Sequence, residues 1–190
     1  MNRKTFLVQG ISSLTSLSVF GFSSKKDKSN CWTQTDDLGP FYRENVPLNN
    51  PMVNDTNTSK LRISGIVFDG ELCDKALAKA TIDVWHADQN GDYDNSSSKF
   101  AFRTKIVTNN SGEYGFKTLM PGHYGNRPRH IHFKVQLDGY YPLITQLYFK
   151  HDEANFDYLS KQANVERILR ITKRGDVWEG TFNLYLRKYQ

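Results

Sequence analysis

Residues 127–137 read RPRHIHFKVQL, and this stretch decides the fold class. Successive side chains of a β-strand point to opposite faces, so every second residue shares a face. The apolar side chains that would share one face are Ile131, Phe133 and Val135. His130 and His132 would then lie together on the other face. The alternation predicts a strand over 130–137 with one face on a core and two imidazoles directed toward one point.

From about residue 60 onward, the chain repeats this strand-like pattern in short segments. The predicted strands are 61–68, 80–86, 102–107, 113–118, 130–137, 143–149, 167–172 and 177–186. Residues 69–70 (Asp-Gly) are a turn signal, and 109–112 indicates a hairpin-like turn between two strands. Helical signals are weak, and only 152–162 favours a short helix. We therefore predict an all-β fold, a β-sandwich of mixed or antiparallel strands preceded by an irregular N-terminal arm.

Composition and charge narrow the class of protein. The chain has 190 residues, 13% of them aromatic, and a formal net charge of +5. The cationic excess mildly favours small anionic partners, and the scattered Lys and Arg residues give no reason to expect nucleic acid. We predict an export signal at 1–24, a linker and N-terminal arm at 25–60, and one β-sandwich domain at 61–190.

The N-terminal region has features of an export signal. A short basic region at 3–4 precedes a modestly apolar run at 6–22, which Ser, Thr and Gly interrupt. This run is too weak for a stable membrane span, so export to the periplasm or the medium is the prediction. A frayed cytoplasmic N-terminus is the alternative. Cys31 and Cys73 are either one disulfide or two unrelated thiols, because sequence alone does not set their geometry.

A histidine pair on one strand face is a candidate metal site, with two surface or packed histidines as the alternative. No cysteine or carboxylate lies near the pair, which disfavours structural zinc. Tyr93 and Tyr124 precede the pair in turn regions, where ordinary strand-end tyrosines are the alternative. A phenol titrates at about pH 10, and only a strongly Lewis-acidic metal keeps it deprotonated at neutral pH. Two imidazoles and two phenolates suit Fe(III), and suit neither magnesium nor calcium.

These motifs resemble the intradiol ring-cleavage dioxygenases, the family of protocatechuate 3,4-dioxygenase and catechol 1,2-dioxygenase. The matching stretches follow the family's order and rough spacing over about residues 33–150. They are 39–42 (GPFY), 85–93, 102–103, 112–116, 121–124, 127–132 and 145–149. Each stretch is weak by itself, but two tyrosines and an RPxHIH-like segment in this order are specific.

The resemblance implies that the domain at 61–190 is catalytic and binds one Fe(III). The implied iron ligands are Tyr93, Tyr124, His130 and His132. By family analogy Tyr124 and His132 are axial, and Tyr124 leaves the iron to take up a proton. Arg127 matches the arginine that faces the activated ring, and Gln146 matches a glutamine of the family pocket. The implied partners are a catechol-type substrate and O2, with cis,cis-muconate-type products; we leave open whether the chain forms a homo-oligomer.

Two departures from the family pattern affect the substrate. We expect no room for the helical N-terminal segment that builds the catechol 1,2-dioxygenase dimer. Only five residues, 125–129, separate the second tyrosine from the first histidine, where larger members have a long loop. The body therefore resembles the protocatechuate type and its small relatives more than the catechol type.

Two other hypotheses are open at the level of sequence. One is a non-enzymatic exported β-sandwich binding module, such as a transthyretin-like or carbohydrate-binding domain, because fold alone does not settle function. The other is a cupin-like Fe(II) oxygenase that uses the histidine pair. It would need a third histidine or carboxylate ligand downstream, and none is well placed. We interpret the remaining histidines as non-ligands; they are His86, His123 and His151.

Overall fold

The computed structural model describes residues 30–53, 60–150, 152 and 161–190. Within them lie ten strands: β1 (Lys60–Asp69), β2 (Thr81–Trp85), β3 (Arg103–Val107), β4 (Glu113–Leu119), β5 (His130–Gln136), β6 (Leu143–Phe149), β7 (Ile168–Leu169), β8 (Thr172–Arg174), β9 (Val177–Thr181) and β10 (Leu184–Leu186). A 3₁₀ turn spans Val165–Arg167. No helix in these ranges is long and apolar enough to cross a membrane. The predicted export signal, and most of the helix predicted over 152–162, lie outside the described residues.

The strands form two mixed five-stranded sheets. The first has the order β3-β2-β5-β6-β7, and the second has the order β10-β1-β9-β8, with β4 also paired to β1. Strand β1 is antiparallel to β4 and parallel to β9 and β10, and β6 is parallel to β7. The predicted all-β sandwich is confirmed.

The hydrophobic core contains apolar side chains from both sheets. Strand β5 contributes three fully buried residues, which are Ile131, Phe133 and Val135. Burying each such side chain contributes about 1.5–3 kcal/mol. Because side chains alternate along the strand, His130 and His132 are directed away from this core, onto the outer face of the first sheet. The histidines are nevertheless buried as well, so the outer face of β5 is covered.

Two predicted strands are each divided in the structure. Residues 167–172 form β7 and β8, because the chain leaves β6 in the first sheet and joins β9 in the second. Residues 177–186 form β9 and β10, with a break at 182–183. At this break the side-chain oxygen of Asn183 accepts a hydrogen bond from the Ile66 amide at 3.1 Å. Apolar alternation predicts extended backbone but does not report which sheet a strand joins.

The turn at 109–112 forms, but the hairpin that it predicted is wrong. The side-chain oxygen of Asn109 accepts hydrogen bonds from the amides of Ser111 and Glu113, each at 2.9 Å. Strand β3 pairs with β2 in the first sheet, whereas β4 pairs with β1 in the second. The turn therefore carries the chain between sheets, because turn residues specify a chain reversal and not a pairing partner.

The N-terminal arm, residues 30–53, runs from the second sheet to the far edge of the first. The amide of Thr33 donates to the Tyr185 carbonyl in β10 at 3.1 Å. The amide of Asp36 donates to the Ile144 carbonyl in β6 at 2.9 Å. The amide of Asn49 donates to a carbonyl of β3 at 2.7 Å. These anchor points carry the middle of the arm past the outer face of β5, where the histidine pair lies.

The two cysteines form one disulfide, between Cys31 in the arm and Cys73 after β1. Their separation is 42 residues. Closing a loop of that length stabilises the fold by about 4 kcal/mol, if the effect is mainly on the entropy of the unfolded chain. The disulfide therefore holds the start of the arm against the second sheet.

Candidate metal centre

Three potential metal ligands converge on the outer face of the first sheet. The hydroxyl oxygen of Tyr93 lies 3.0 Å from Nε2 of His130 and 3.1 Å from Nε2 of His132. Both histidines come from β5, and Tyr93 comes from the loop that follows the neighbouring strand β2. Each imidazole is no more than 3% exposed. The structure thus brings three of the four predicted ligands to a single point.

The surroundings of both imidazoles suit coordination of a cation. Nδ1 of His130 donates to the carbonyl of Pro128 at 2.7 Å, so in the neutral ring the lone pair of Nε2 faces Tyr93. Burial, with a smaller effect of His130, lowers the pKa of His132 well below 6.5, so His132 is neutral. The ring of His132 stacks on Trp85 at 4.8 Å between centroids. Its Nδ1 has no hydrogen-bond partner among the described residues.

The Tyr93 phenol completes a donor set that suits ferric iron. Burial raises the pKa of Tyr93 above its ordinary value of 10, against the opposing charge of Arg127. Without a cation the phenol therefore keeps its proton, and a Lewis-acidic cation bound between the three donors would replace that proton. Within the described ranges, no three His, Cys, Asp or Glu side chains are placed to hold a metal. A site here would therefore depend on tyrosine oxygen, a hard donor that fits Fe(III).

Tyr124 lies on the solvent side of this cluster and is 41% exposed. Its ring meets Tyr93 edge-on at 5.6 Å between centroids and meets Phe41 edge-on at 5.1 Å. Phe41, from the arm, also stacks on Tyr93 at 4.2 Å. Tyr124 therefore contacts the cluster through its ring, and it is the least buried of the four predicted ligands.

Two glycines allow the tyrosine-bearing loops to meet backbone to backbone. The amide of Gly122 donates to the carbonyl of Asp88 at 2.7 Å. A Cβ on Gly122 would lie 2.4 Å from the carbonyl oxygen of Gln89, and a Cβ on Gly91 would lie 2.1 Å from that of His123. Gly91 also has a φ of 93°, a conformation that favours glycine. These contacts set the distance between the loop of Tyr93 and the loop of Tyr124.

Arg127 lies at the edge of the cluster, with Gln146 behind it. Nη1 of Arg127 is 3.5 Å from Nε2 of His130. Nη2 donates to Oε1 of Gln146 at 3.0 Å and to the hydroxyl of Tyr148 at 3.2 Å. Gln146 is fully buried on β6, opposite His132 in the strand register. The geometry places Gln146 as a support for Arg127.

The described histidines outside β5 have other partners. His86 is buried, and its Nε2 lies 2.6 Å from the hydroxyl of Thr118. Nε2 of His123 lies 2.6 Å from the Asp152 carboxylate, which is itself fully buried. Asp152 also accepts the backbone amide of Arg129 at 2.6 Å, so it ties down both ends of the loop that carries Tyr124. His151 lies outside the described residues.

Three residues near the cluster were not predicted from the sequence, and they are Tyr148, Asp36 and Arg167. Tyr148 follows Gln146 by two positions and lies opposite His130 in the register, so the two-residue period of a strand was a signal that could have found it. Asp36 and Arg167 form an ion pair across 131 residues of sequence. No local pattern connects residues that far apart.

Asp94 holds the loop that follows Tyr93. Its carboxylate accepts the amides of Ser97 at 2.8 Å and Ala101 at 2.7 Å, and the hydroxyl of Ser97 as well. Burial by itself would raise the pKa of Asp94, but these hydrogen bonds outweigh it and lower the pKa from 3.8 to about 2. The charged form of Asp94 is therefore stabilised in the folded protein.

This shift predicts how stability depends on pH. Because the folded-state pKa lies below the unfolded value, the contribution of Asp94 is present above about pH 4 and is lost as pH falls toward about 2. We expect Asp94→Asn to lower the free energy of unfolding by about 1–3 kcal/mol at neutral pH and by less near pH 2. Urea unfolding across this range would measure both, with Asp138→Asn, in an exposed turn, as the control. A pH-independent difference between Asp94→Asn and the parent would contradict the assignment.

Comparison with known proteins places these features in a family. Residues 38–188 match a family model described as Dioxygenase. The chain is 29% identical over 180 residues to chlorocatechol 1,2-dioxygenase of Rhodococcus opacus, covering 78% of this chain and 69% of that protein. It is 38% identical over 139 residues to chlorocatechol 1,2-dioxygenase of Pseudomonas putida, covering 59% and 52%. The chain thus spans between about half and two-thirds of the length of these curated relatives.

A solved structure agrees with the sequence matches. The dioxygenase domain of a dioxygenase carbohydrate-binding protein fusion from Streptomyces sp. SirexAA-E superposes with a TM-score of 0.75 at 32% identity. The superposition covers 83% of this chain and 99% of that domain. The sandwich, the cluster on its outer face and the family match define a dioxygenase. The chain belongs to the intradiol ring-cleavage dioxygenase family.

Family membership confirms the resemblance inferred from the sequence, and it favours an enzyme over a non-enzymatic binding module. The closer likeness to the protocatechuate type stays a prediction. Both curated relatives described above are chlorocatechol enzymes.

Proposed function

We propose that this protein cleaves a catechol-type ring with O2 at a ferric iron held by Tyr93, Tyr124, His130 and His132. The observation that carries the proposal is the position of the Tyr93 oxygen, 3.0 and 3.1 Å from the two imidazole nitrogens. Two imidazoles and two phenols fit Fe(III) by donor chemistry. When bound, ferric iron supplies a Lewis acid that draws electron density from a catecholate and prepares its ring for O2.

Arg127 supplies a fixed positive charge beside this site. A guanidinium stays protonated at any physiological pH, so it stabilises an anionic ring without a protonation step. Contacts with Gln146 and Tyr148 hold Nη2, and Nη1 lies toward His130. We infer that Arg127 faces the substrate ring as negative charge develops on it.

Tyr93 and Tyr124 have different roles in this proposal. Tyr93 is held against Phe41, which shields it from water on the side of the arm. Tyr124 is more exposed, and its ring meets Phe41 and Tyr93 edge-on, so it is less tightly packed than Tyr93. As a phenolate, the form that would hold the iron, Tyr124 could therefore accept a proton from an incoming catechol, whereas Tyr93 would stay in position.

The proposal predicts colour and oxygen consumption. Protein loaded with Fe(III) should be red to burgundy, because tyrosinate bound to ferric iron absorbs visible light by charge transfer. Oxygen uptake should follow the addition of catechol, protocatechuate or hydroxyquinol, and the product spectra would identify the preferred ring. Zinc-loaded protein is the control, and it should be colourless and inactive. Fully iron-loaded protein that is colourless and takes up no oxygen would refute the proposal.

We further propose that the protein acts outside the cytosol. The Cys31–Cys73 disulfide supports this location, because disulfides persist in oxidising compartments and are rare in the cytosol. Mass analysis of protein recovered outside the cell would show whether the segment predicted at 1–24 is removed. Protein found only in the cytosol, with both thiols reduced, would contradict the proposal. Association into a homo-oligomer stays a prediction.

A further inference from the structure

A buried chain of polar contacts connects the N-terminal arm to Arg127. Asp36 of the arm forms an ion pair with Arg167, and both side chains are only 2% exposed. The Asp36 carboxylate also accepts Nε2 of Gln146 at 3.3 Å and the hydroxyl of Tyr148 at 3.1 Å. Gln146 and Tyr148 both accept hydrogen bonds from the same nitrogen of Arg127, Nη2. One intervening side chain therefore separates Asp36 from Arg127 along either of two routes.

The donors and acceptors in this series of contacts determine which atoms of Gln146 and Tyr148 face Arg127. Nε2 of Gln146 donates to Asp36 and to the carbonyl of Asp37 at 2.9 Å, so Oε1 must turn toward Arg127. The single hydroxyl proton of Tyr148 has two acceptors at 3.1 Å, the Asp36 carboxylate and Oε1 of Gln146, and the charged carboxylate is the stronger of the two. A lone pair of Tyr148 then remains for Arg127. Asp36 thereby turns two acceptors toward one guanidinium.

The ion pair with Arg167 lowers the energetic cost of burying the Asp36 carboxylate. An unpaired buried carboxylate would be strongly unfavourable, and the ion pair with Arg167 offsets part of that cost. Nε of Arg167 also donates to Oε1 of Gln34 at 3.1 Å, and Nη1 donates to the carbonyl of Gln146 at 3.4 Å. Arg167 is thus held by the arm and by β6 together, so Asp36 has one defined position relative to Gln146.

We propose that Asp36, paired with Arg167, is a positioning residue for Arg127, which makes the N-terminal arm part of the catalytic apparatus. The inference rests on the proposed function for what Arg127 does to the substrate. The contacts themselves do not depend on that function. An arginine side chain loses much conformational freedom when it is held in one place. Asp36 fixes the acceptors in advance, so Arg127 is oriented before the substrate arrives.

Asp36→Asn keeps the size of the side chain and removes its charge. We expect kcat/KM for the preferred catechol to fall by roughly 10- to 100-fold, the cost of a misplaced catalytic group. The iron content and the charge-transfer band should stay unchanged, because no proposed ligand contacts Asp36. Asp138→Asn, with the same charge change in an exposed turn, should leave all three quantities at the parental values.

A double-mutant cycle separates positioning from general damage. If Asp36 acts through Arg127, then Asp36→Asn should change kcat/KM by less than about twofold once Arg127 is already alanine. An equal loss in the two backgrounds would overturn the proposal. Should Asp36→Asn fail to fold, Tyr148→Phe removes one of the two routes and leaves the ion pair intact. Its effect should also vanish in the Arg127→Ala background, and an additive effect would again overturn the proposal.

A measurement without iron tests the contact directly. In the iron-free protein, the guanidinium NMR signals of Arg127 should report slow rotation about the Nε–Cζ bond, with Arg127→Lys used to assign them. Asp36→Asn should speed this rotation at least severalfold, and an unchanged rate would overturn the proposal. If the parent protein oxidises no catechol, only the proposed function fails. An active parent with additive losses in the cycle would refute the positioning role alone.

Discussion

Replacing Tyr93 with phenylalanine is expected to weaken and shift the visible band of the iron-loaded protein and to lower turnover by more than about 100-fold. The estimate follows because altering a residue one step removed from a metal costs about 10- to 100-fold, and Tyr93 is placed to bind the metal itself. Its oxygen is the only atom that the substitution removes, and this oxygen lies within 3.1 Å of both imidazoles. The ring can still stack on Phe41, so the fold should be retained.

Visible absorption, iron content and oxygen uptake would be measured together on this variant. Tyr141→Phe is the matched control, because Tyr141 is 46% exposed and lies outside the cluster. Tyr124→Phe should shift the band, since a second phenolate would be lost. If Tyr93→Phe and Tyr124→Phe both kept the parental spectrum with full iron content, the assignment of the ligands would be wrong.

Gly91→Ala should destabilise the fold and weaken iron binding together. The new Cβ would lie 2.1 Å from the carbonyl oxygen of His123, so one of the tyrosine loops must move. Forced overpacking costs about 1–3 kcal/mol, and a side chain in the left-handed region adds about 1–2 kcal/mol. We therefore expect a loss of about 2–5 kcal/mol in the free energy of unfolding, together with incomplete iron loading.

Gly139→Ala separates the two causes of this loss. Gly139 has a φ of 85°, close to that of Gly91, but a Cβ there would meet no atom within 4 Å. It should therefore show only the smaller backbone cost and bind iron as the parent does. Chemical unfolding and metal analysis of the two variants would test this. Equal losses in both would show that the close approach of the two loops is unimportant.

The sequence predicted those parts of the protein that depend on local periodicity. Alternation over 130–137 placed Ile131 in the core and directed His130 and His132 to the same side, and the structure agrees. The predicted strands were found, although two of them were divided. These two strands are divided where the chain passes from one sheet to the other or where strand pairing is interrupted. Both changes depend on contacts between segments that are distant in sequence.

The candidate site was predictable to a similar extent. Tyr93 and Tyr124 were assigned through the order of motifs; the structure brings the Tyr93 oxygen to the histidine pair and places the Tyr124 ring against Tyr93. The surroundings of Arg127 were predicted less well. Gln146 was recognised, but its connection to Asp36 depends on the path of the arm across the sheet. A buried ion pair between distant segments has no sequence period, so only the folded chain reveals it.

The course of the N-terminal arm has a consequence for folding on the ribosome. The arm leaves the ribosome early, but Thr33 accepts the Tyr185 amide across 152 residues, and Asp36 finds Arg167 across 131. Contacts between such distant residues form slowly, because the chain must first lose much of its freedom to close so long a loop. A segment that is synthesised early therefore waits for one that is synthesised much later. The geometry around Arg127 is complete only when almost the whole chain is available, so truncated products lack it.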